Sequence, residues 1–231
     1  MISVIVPALN EEKYLAYCLE SFANQSYGDY EVIVVDGGSS DKTVEVAKEF
    51  ADKVIIDSKR PVGAARNAGA RIARGDVLAF IDADTVACPS WVETIIQSFN
   101  HNRLIGVTGP TLPLDGHMFD RLVYKAATHY LQRALVFVNM PHVPGFNCAY
   151  DKQAFFRAGG FDESNVLSED TRLSLKLRKL GVVAFNKRML AYTSTRRIKK
   201  YGYPYMATFY LINCLFTHLT GKSLRHYPAV R

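Results

Sequence analysis

Two apolar runs of this chain end in carboxylates. "VLAFIDADT" (77–85) delivers Asp82 and Asp84, and "EVIVVDGGSSDKT" (31–43) delivers Asp36 ahead of two glycines and two serines. Alternate residues of an extended segment share a side, so Asp82 and Asp84 point together. Two hard oxygen donors beside a phosphate suit Mg²⁺ or Mn²⁺, which take few protein ligands and complete their shells with phosphate and water. A further acidic pair, Glu169 and Asp170 in "SEDTRL", offers a carboxylate that can take a proton from a hydroxyl. Arg196 and Arg197 offer guanidinium forks that match phosphate oxygens. Each cluster alone has a plainer reading: a solvated turn, a helix cap, surface charge. A strand feeding Asp82 and a second acid that capping leaves unused favour chemistry.

Such groups need a frame, and the first third of the chain supplies one. Strand patterns at Ile2–Val6, Glu31–Val35, Lys53–Ile56 and Val77–Ile81 alternate with helical ones. Asn10 is placed to cap a helix carrying Leu15, Cys18, Leu19 and Phe22, and Ser40 or Asp41 one carrying Val44, Ala47 and Phe50. "GAARNAGARIARG" reads as a small-residue helix ended by Gly75. This alternation predicts an α/β fold with a doubly wound, mainly parallel sheet flanked by helices. Ligands of open α/β sheets bind outside the carboxyl ends of the strands, where Asp36, Asp82 and Asp84 all fall.

Further on, "SWVETIIQSF" predicts a helix and Leu104–Thr108 a strand. Between His117 and Met140, Phe119, Leu122, Val123, Ala126, Tyr130, Leu131 and Ala134 could line one helical face, against the core or towards a membrane or acceptor. "PGFNCAY" reads as a glycine-containing loop, and "SEDTRLSLKLRKLG" as a capped helix with acids in its first turn.

The 231 residues carry 48% hydrophobic and 22% charged side chains and a net charge of +6, as expected of one globular domain with an anionic partner. No nucleic-acid motif or interleaving of aromatic and basic residues is present, so nucleic acid is not the expected partner. The four cysteines form no CxxC pair and are expected as free thiols, and with no leader in view the active site is expected in the cytosol.

Taken in order, these segments resemble the family 2 glycosyltransferases, whose fold is GT-A and whose donors are nucleotide sugars. "VIVPALNEE", "VVDGGSSDKT", "GAARNAGARIARGDVLAFIDADT", "GFNCAYDKQAFFRAGGFDE" and "SEDTRLSLKLRKLG" carry the likeness over residues 2 to 197. The resemblance implies that Pro7, Asn10 and Glu11 line the nucleoside pocket, with Glu11 near the ribose. It implies that Asp36 accepts a hydrogen bond from the base and that Arg66 lies near the nucleotide. Asp82 would contact ribose or metal, and Asp84 would be the principal protein ligand of a Mg²⁺ or Mn²⁺ bridging the diphosphate. Gly145 and Asn147 would approach the donor sugar or acceptor. Asp170 would be the general base of an inverting displacement, with Glu169 positioning sugar or acceptor and Arg196 or Arg197 on the diphosphate. Residues 1–198 would form the catalytic domain, with 1–110 the nucleotide-sugar-binding half and 111–198 the acceptor-side half.

One departure from the family bears on the product. Polymer-making members carry QxxRW, whereas this chain has "TSTRRIKKYGY" and its single tryptophan is Trp91. That favours transfer of one sugar. Residues 199–231 form a basic and aromatic appendage, expected to be a membrane-proximal helical segment that lies at an interface or packs on the core. A lipid-linked acceptor at the cytoplasmic face of the membrane would explain it, with GDP-mannose the preferred donor and a UDP-hexose the other choice. A nucleotide-sugar-binding protein without catalysis and a nucleotidyltransferase are the competing readings.

Overall fold

The computed structural model describes residues 1–58, 61–101, 104–139, 143–164 and 168–220. The alternation read from the sequence is present. Strand β1 (Ile2–Ala8) leads to α1 (Leu15–Ala23), β2 (Tyr30–Asp36) to α2 (Thr43–Phe50), and β3 (Lys53–Ile56) to α3 (Val62–Ile72), which precedes β4 (Val77–Ile81). A short β5 (Thr85–Ala87) follows, then α4 (Trp91–His101), β6 (Leu104–Thr108) and β7 (Thr111–Pro113). Helix α5 (Met118–Tyr124) runs through a π-helical stretch, Lys125–Leu131, into α6 (Gln132–Phe137). The remainder is β8 (Asn147–Asp151), α7 (Lys152–Arg157), α8 (Glu169–Leu177), β9 (Val182–Phe185), β10 (Ala191–Thr193), α9 (Arg196–Tyr201) and α10 (Tyr203–Thr220).

Seven strands form one sheet in the order β3-β2-β1-β4-β8-β6-β9. The first four are mutually parallel, β8 runs antiparallel to both β4 and β6, and β9 is parallel to β6. A three-stranded sheet, β5-β10-β7, stands beside it. The central strands of the larger sheet are buried on both faces, which is why they read as continuous apolar runs. Val4, Val6, Val34, Ala79 and Ile81 pack on one side with Trp91. Ile5, Ile33, Val35, Leu78 and Phe80 pack on the other with Tyr150 and Phe155.

The stripe predicted on the 117–140 segment faces outwards. Phe119, Leu122, Ala126, Tyr130, Leu131 and Ala134 are exposed and Val123 is half-buried. The inner side belongs to polar anchors instead. The Thr128 hydroxyl sits between the N–H of Thr111 (3.0 Å) and its carbonyl (2.7 Å), and Gln132 Nε2 donates to Thr108 Oγ1 at 2.8 Å. Helix α10 lies partly against the body: Met206 and Asn213 are buried, and the Tyr203 hydroxyl donates to Asp120 Oδ1 at 2.6 Å. No described helix is long and apolar enough to cross a membrane. Residues 221–231 of the appendage lie outside the described residues.

Candidate active site

The carboxyl ends of β1, β2 and β4 meet in one cleft. After β2, Asp36 folds the glycine–serine turn onto itself: its Oδ2 accepts from the N–H groups of Gly38 and Ser39, both at 2.8 Å, and its Oδ1 accepts from the Ser39 hydroxyl. Gly38 has φ +85°, a left-handed conformation that favours glycine. Asn10 adopts φ +55° after β1 and joins the two turns, its N–H donating to Ser39 Oγ at 2.9 Å and its Oδ1 accepting from Ser40 N at 2.9 Å. Asn10 therefore does not cap α1, which begins five residues later with no side-chain cap. Pro7 is buried within β1 beside Val35 and forms the floor of this end of the cleft.

Two arginines organise the acids. Arg66, on α3, is 3% exposed; its Nη2 donates to Asp82 Oδ1 at 2.7 Å and its Nη1 to Glu169 Oε1 at 2.8 Å. Its guanidinium also lies 5.3 Å from the Phe161 ring centroid. Arg196, at the start of α9, sends Nη1 to Glu11 Oε2 at 2.7 Å, Nη2 to Glu11 Oε1 at 2.5 Å, and Nη2 to Asp84 Oδ2 at 3.1 Å. Tyr14 lies beneath it, 5.0 Å from the guanidinium carbon. Arg197 is close enough for its charge to lower the pKa of Asp84. In this state Glu11 offers both oxygens to Arg196, and not to an open ribose subsite.

Asp170, half-buried in the first turn of α8, accepts from Gly145 N at 3.2 Å through Oδ2 and from Thr171 N at 2.6 Å through Oδ1. Gly145 passes so close to Arg66 that a Cβ there would stand 2.6 Å from Nη1 and would push the guanidinium from its present position. The helix is not capped as expected. Ser168 has φ +59° and makes no capping bond; its hydroxyl accepts instead from Asn213 Nδ2 of α10.

Asn147 does not face the cleft. It is fully buried at the start of β8, where its Oδ1 accepts from Trp91 Nε1 at 2.8 Å and its Nδ2 faces the carbonyls of Gly109, Pro110 and Met189, each at 3.1 Å. "NCAY" is a central antiparallel strand between β4 and β6, and the pleat turns Asn147 into the core. Its expected approach to sugar or acceptor is corrected accordingly.

Crowded carboxylates lift pKa values here. Burial first, then Asp82, raise Asp84 to about 6, against the pull of Arg196. Burial and neighbouring Asp170 push Glu169 up, and Arg66 only partly offsets them. Arg66 itself is held firmly protonated by Asp82 and Glu169 despite its burial. The contact thus favours the charged arginine without making Glu169 an ordinary acid, because Glu169 also lacks water and sits beside a like charge.

The donor set fits one hard divalent cation. Asp82 and Asp84 each give one oxygen to an arginine, and burial together with the nearby Asp82 charge disfavours the ionised form of Asp84. Among the described residues no group of three or more His, Cys, Asp or Glu is arranged to hold a metal by itself. A cation here would therefore need phosphate or water to complete its shell.

Sequence reasoning missed three supporting residues. Tyr14 and Phe161 carry the guanidinium groups, and Asp115 fixes the turn before Arg196 by accepting from Thr195 N at 2.8 Å and Thr195 Oγ1 at 2.9 Å. Nothing in their spacing pointed to the cleft.

A mainly parallel sheet with an antiparallel β8 and a carboxylate cleft at its switch point is the GT-A glycosyltransferase architecture. The structure of the mannosyltransferase PcManGT from Pyrobaculum calidifontis, in complex with GDP-Man and Mn²⁺, matches with a TM-score of 0.77 at 18% identity, over 98% of this chain and 66% of that one. TarS 1–349 of S. aureus, in complex with UDP-GlcNAc, matches with a TM-score of 0.68 at 20% identity, over 84% of this chain and 58% of that one. Residues 3–157 match the Glycosyl transferase family 2, and the chain belongs to that family. The PGL/p-HBAD biosynthesis glycosyltransferase of Mycobacterium bovis is 42% identical over 90 residues, 36% of this chain and 35% of its own length. The chain spans 30–41% of the length of the first curated relatives it matches.

Proposed function

We propose that this protein transfers one sugar from a nucleotide-sugar donor to a lipid-linked acceptor, with inversion. The observation that carries the reading is the shared cleft. Asp36, Asp82, Asp84, Glu169 and Asp170 come from three separate stretches; Arg66 ties Asp82 to Glu169, and Arg196 ties Asp84 to Glu11.

Pro7, Asn10, Glu11 and Asp36 would receive the nucleoside, and Asp84 with Asp82 would hold Mg²⁺ or Mn²⁺ against the diphosphate. When bound, such an ion supplies charge to the departing diphosphate. Asp170 takes the proton from the acceptor hydroxyl; the Gly145 N–H holds one of its oxygens in place, and Glu169, anchored on Arg66, fixes its neighbour. Arg196 and Arg197 meet the leaving phosphates, and their N–H groups need no proton transfer to do so. GDP-mannose is the preferred donor; the GDP-Man and UDP-GlcNAc complexes of the two structural neighbours keep both nucleotide classes in the assay. The site would work at the cytoplasmic face of a membrane, a reading supported by the basic 187–200 stretch and the exposed Tyr205, Ile212 and Phe216 of α10.

A thermal-shift panel of GDP- and UDP-sugars with Mn²⁺ identifies the donor, since a ligand of the folded state raises its melting temperature. Asp170→Asn is expected to keep that shift and to lose roughly 10²- to 10⁴-fold in transfer. Full turnover by that variant would remove Asp170 from the mechanism. A donor shift with pyrophosphate release from a nucleoside triphosphate would support a nucleotidyltransferase instead.

A further inference from the structure

With Thr128 and Gln132 holding its inner side, the helical stretch from α5 to α6 presents two other surfaces. One flank carries Lys125, His129 and Arg133, four residues apart. Lys125 and His129 line a cavity of about 230 Å³ together with Lys187. Arg133 and Lys187 line an adjoining cleft of about 470 Å³ with Ser98 and Asn186. No acidic residue lines either space, and among the described residues none of these four basic side chains makes an ion pair. The outer side carries Met118, Leu122, Tyr130, Leu131, Phe137 and Val138, with Met118 79% and Phe137 90% exposed. Clustered exposed apolar side chains mark an interaction surface.

We propose that residues 118–138 form a docking surface for an anionic lipid bilayer, with headgroup phosphates held between Lys125, His129, Arg133 and Lys187. Charge complementarity selects this occupant. Phosphates answer the uncompensated basic groups, while the acyl boundary takes the apolar row. A second copy of the chain fits poorly, because a two-fold interface would bring the same basic groups face to face. The position suits the chemistry: α5 starts three residues after Asp115, which fixes the turn leading to Arg196. The proposal deepens the membrane reading above and rests on it, but it concerns a surface separate from the donor cleft.

Vesicle flotation of the full chain tests it, comparing phosphatidylcholine alone with vesicles that also contain phosphatidylglycerol. The chain is expected to float with the anionic vesicles and to be released by high salt. Each of Lys125→Gln, Arg133→Gln and Lys187→Gln is expected to lower partition about fivefold, and the triple variant roughly a hundredfold. Phe137→Ser is expected to weaken binding as well. All these residues are outside the cleft, so the donor-induced thermal shift must survive in every variant. Loss of that shift in the parent chain would strike the glycosyl-transfer reading and leave the flotation result standing.

Three results would overturn the proposal. The triple variant could float like the parent. Light scattering could show a dimer that Phe137→Ser dissociates. Inorganic phosphate could raise the melting temperature through Lys125, Arg133 and Lys187 while the chain floats with neither kind of vesicle, which would assign the cleft to a free phosphate.

Discussion

Replacing Arg66 by methionine removes a buried cation of similar length and leaves Glu169 without its counter-charge. Arg66 is 3% and Glu169 7% exposed, so solvent cannot take over the contact. Removing one member of a buried pair typically costs about 3–5 kcal/mol, a large part of the roughly 5–15 kcal/mol that holds a domain folded. The cost must depend on pH. Glu169 already has a folded-state pKa above its unfolded value, so its ionisation opposes folding as pH rises through that interval. Without Arg66 the interval widens upwards. Below the ordinary glutamate range the carboxyl is neutral in both states, and the variant loses only packing and the half-exposed Asp82 contact, about 1–2 kcal/mol. Urea denaturation at pH 3.5 and pH 8 measures the difference, and the expected loss is at least twice as large at pH 8. The double variant Arg66→Met/Glu169→Met should recover most of the loss, because an apolar pair replaces an ion pair with little penalty. An equal loss at both pH values, or no recovery in the double variant, would refute the view that an uncompensated Glu169 is the source.

Two further predictions concern Asp84 and Asn147. With Asp84 raised to about 6, protons compete for the carboxylate below that pH, and Mn²⁺-dependent donor binding should weaken about tenfold per unit there; titration calorimetry at pH 5 and 7.5 measures this. Asp84→Asn should abolish the Mn²⁺ dependence of the thermal shift. Asn147→Leu leaves the Trp91 N–H and several carbonyls without a partner, so it should cost about 2–4 kcal/mol in chemical denaturation. Donor affinity measured on the folded fraction should be unchanged; a specific loss of binding with full stability would return Asn147 to the cleft.

The donor side of the molecule was legible because local pattern and global role coincide there. "EVIVV" and "VLAFI" can only be strands buried on both faces, and the residue after such a strand must lie at the sheet's edge. That argument alone puts Asp36, Asp82 and Asp84 at the carboxyl edge of the sheet. The acceptor side was not legible in the same way. "GFNCAY" has glycine and asparagine, which read as loop, yet Asn147–Asp151 is inserted between β4 and β6, and long-range pairing overrode local composition. The outward stripe of 117–140 shows the converse. Its periodicity was correct, but periodicity gives only the presence of an apolar face, and Thr128 and Gln132, polar and unremarked, determine which side meets the core.

Neither arginine pairing could be read from spacing, because each joins segments more than a hundred residues apart. Arg66 reaches from the helix after β3 to the acid beside Asp170, and Arg196 reaches back to Glu11 and Asp84. Each guanidinium is divided between two carboxylates, and this division limits what can happen on ligand binding. A divalent cation on Asp84 would weaken its 3.1 Å contact with Arg196, because like charges repel at such range. Glu11, which engages the same guanidinium through both oxygens, keeps it at the mouth of the cleft. The N–H groups so released would be available to the diphosphate of the proposed donor. The same cation on Asp82 would weaken its contact with Arg66, which Glu169 still holds on the other side while Gly145 packs against it. Each arginine thus keeps one carboxylate outside the proposed cation site, Glu11 for Arg196 and Glu169 for Arg66, and Glu169 stands next to Asp170 in the chain.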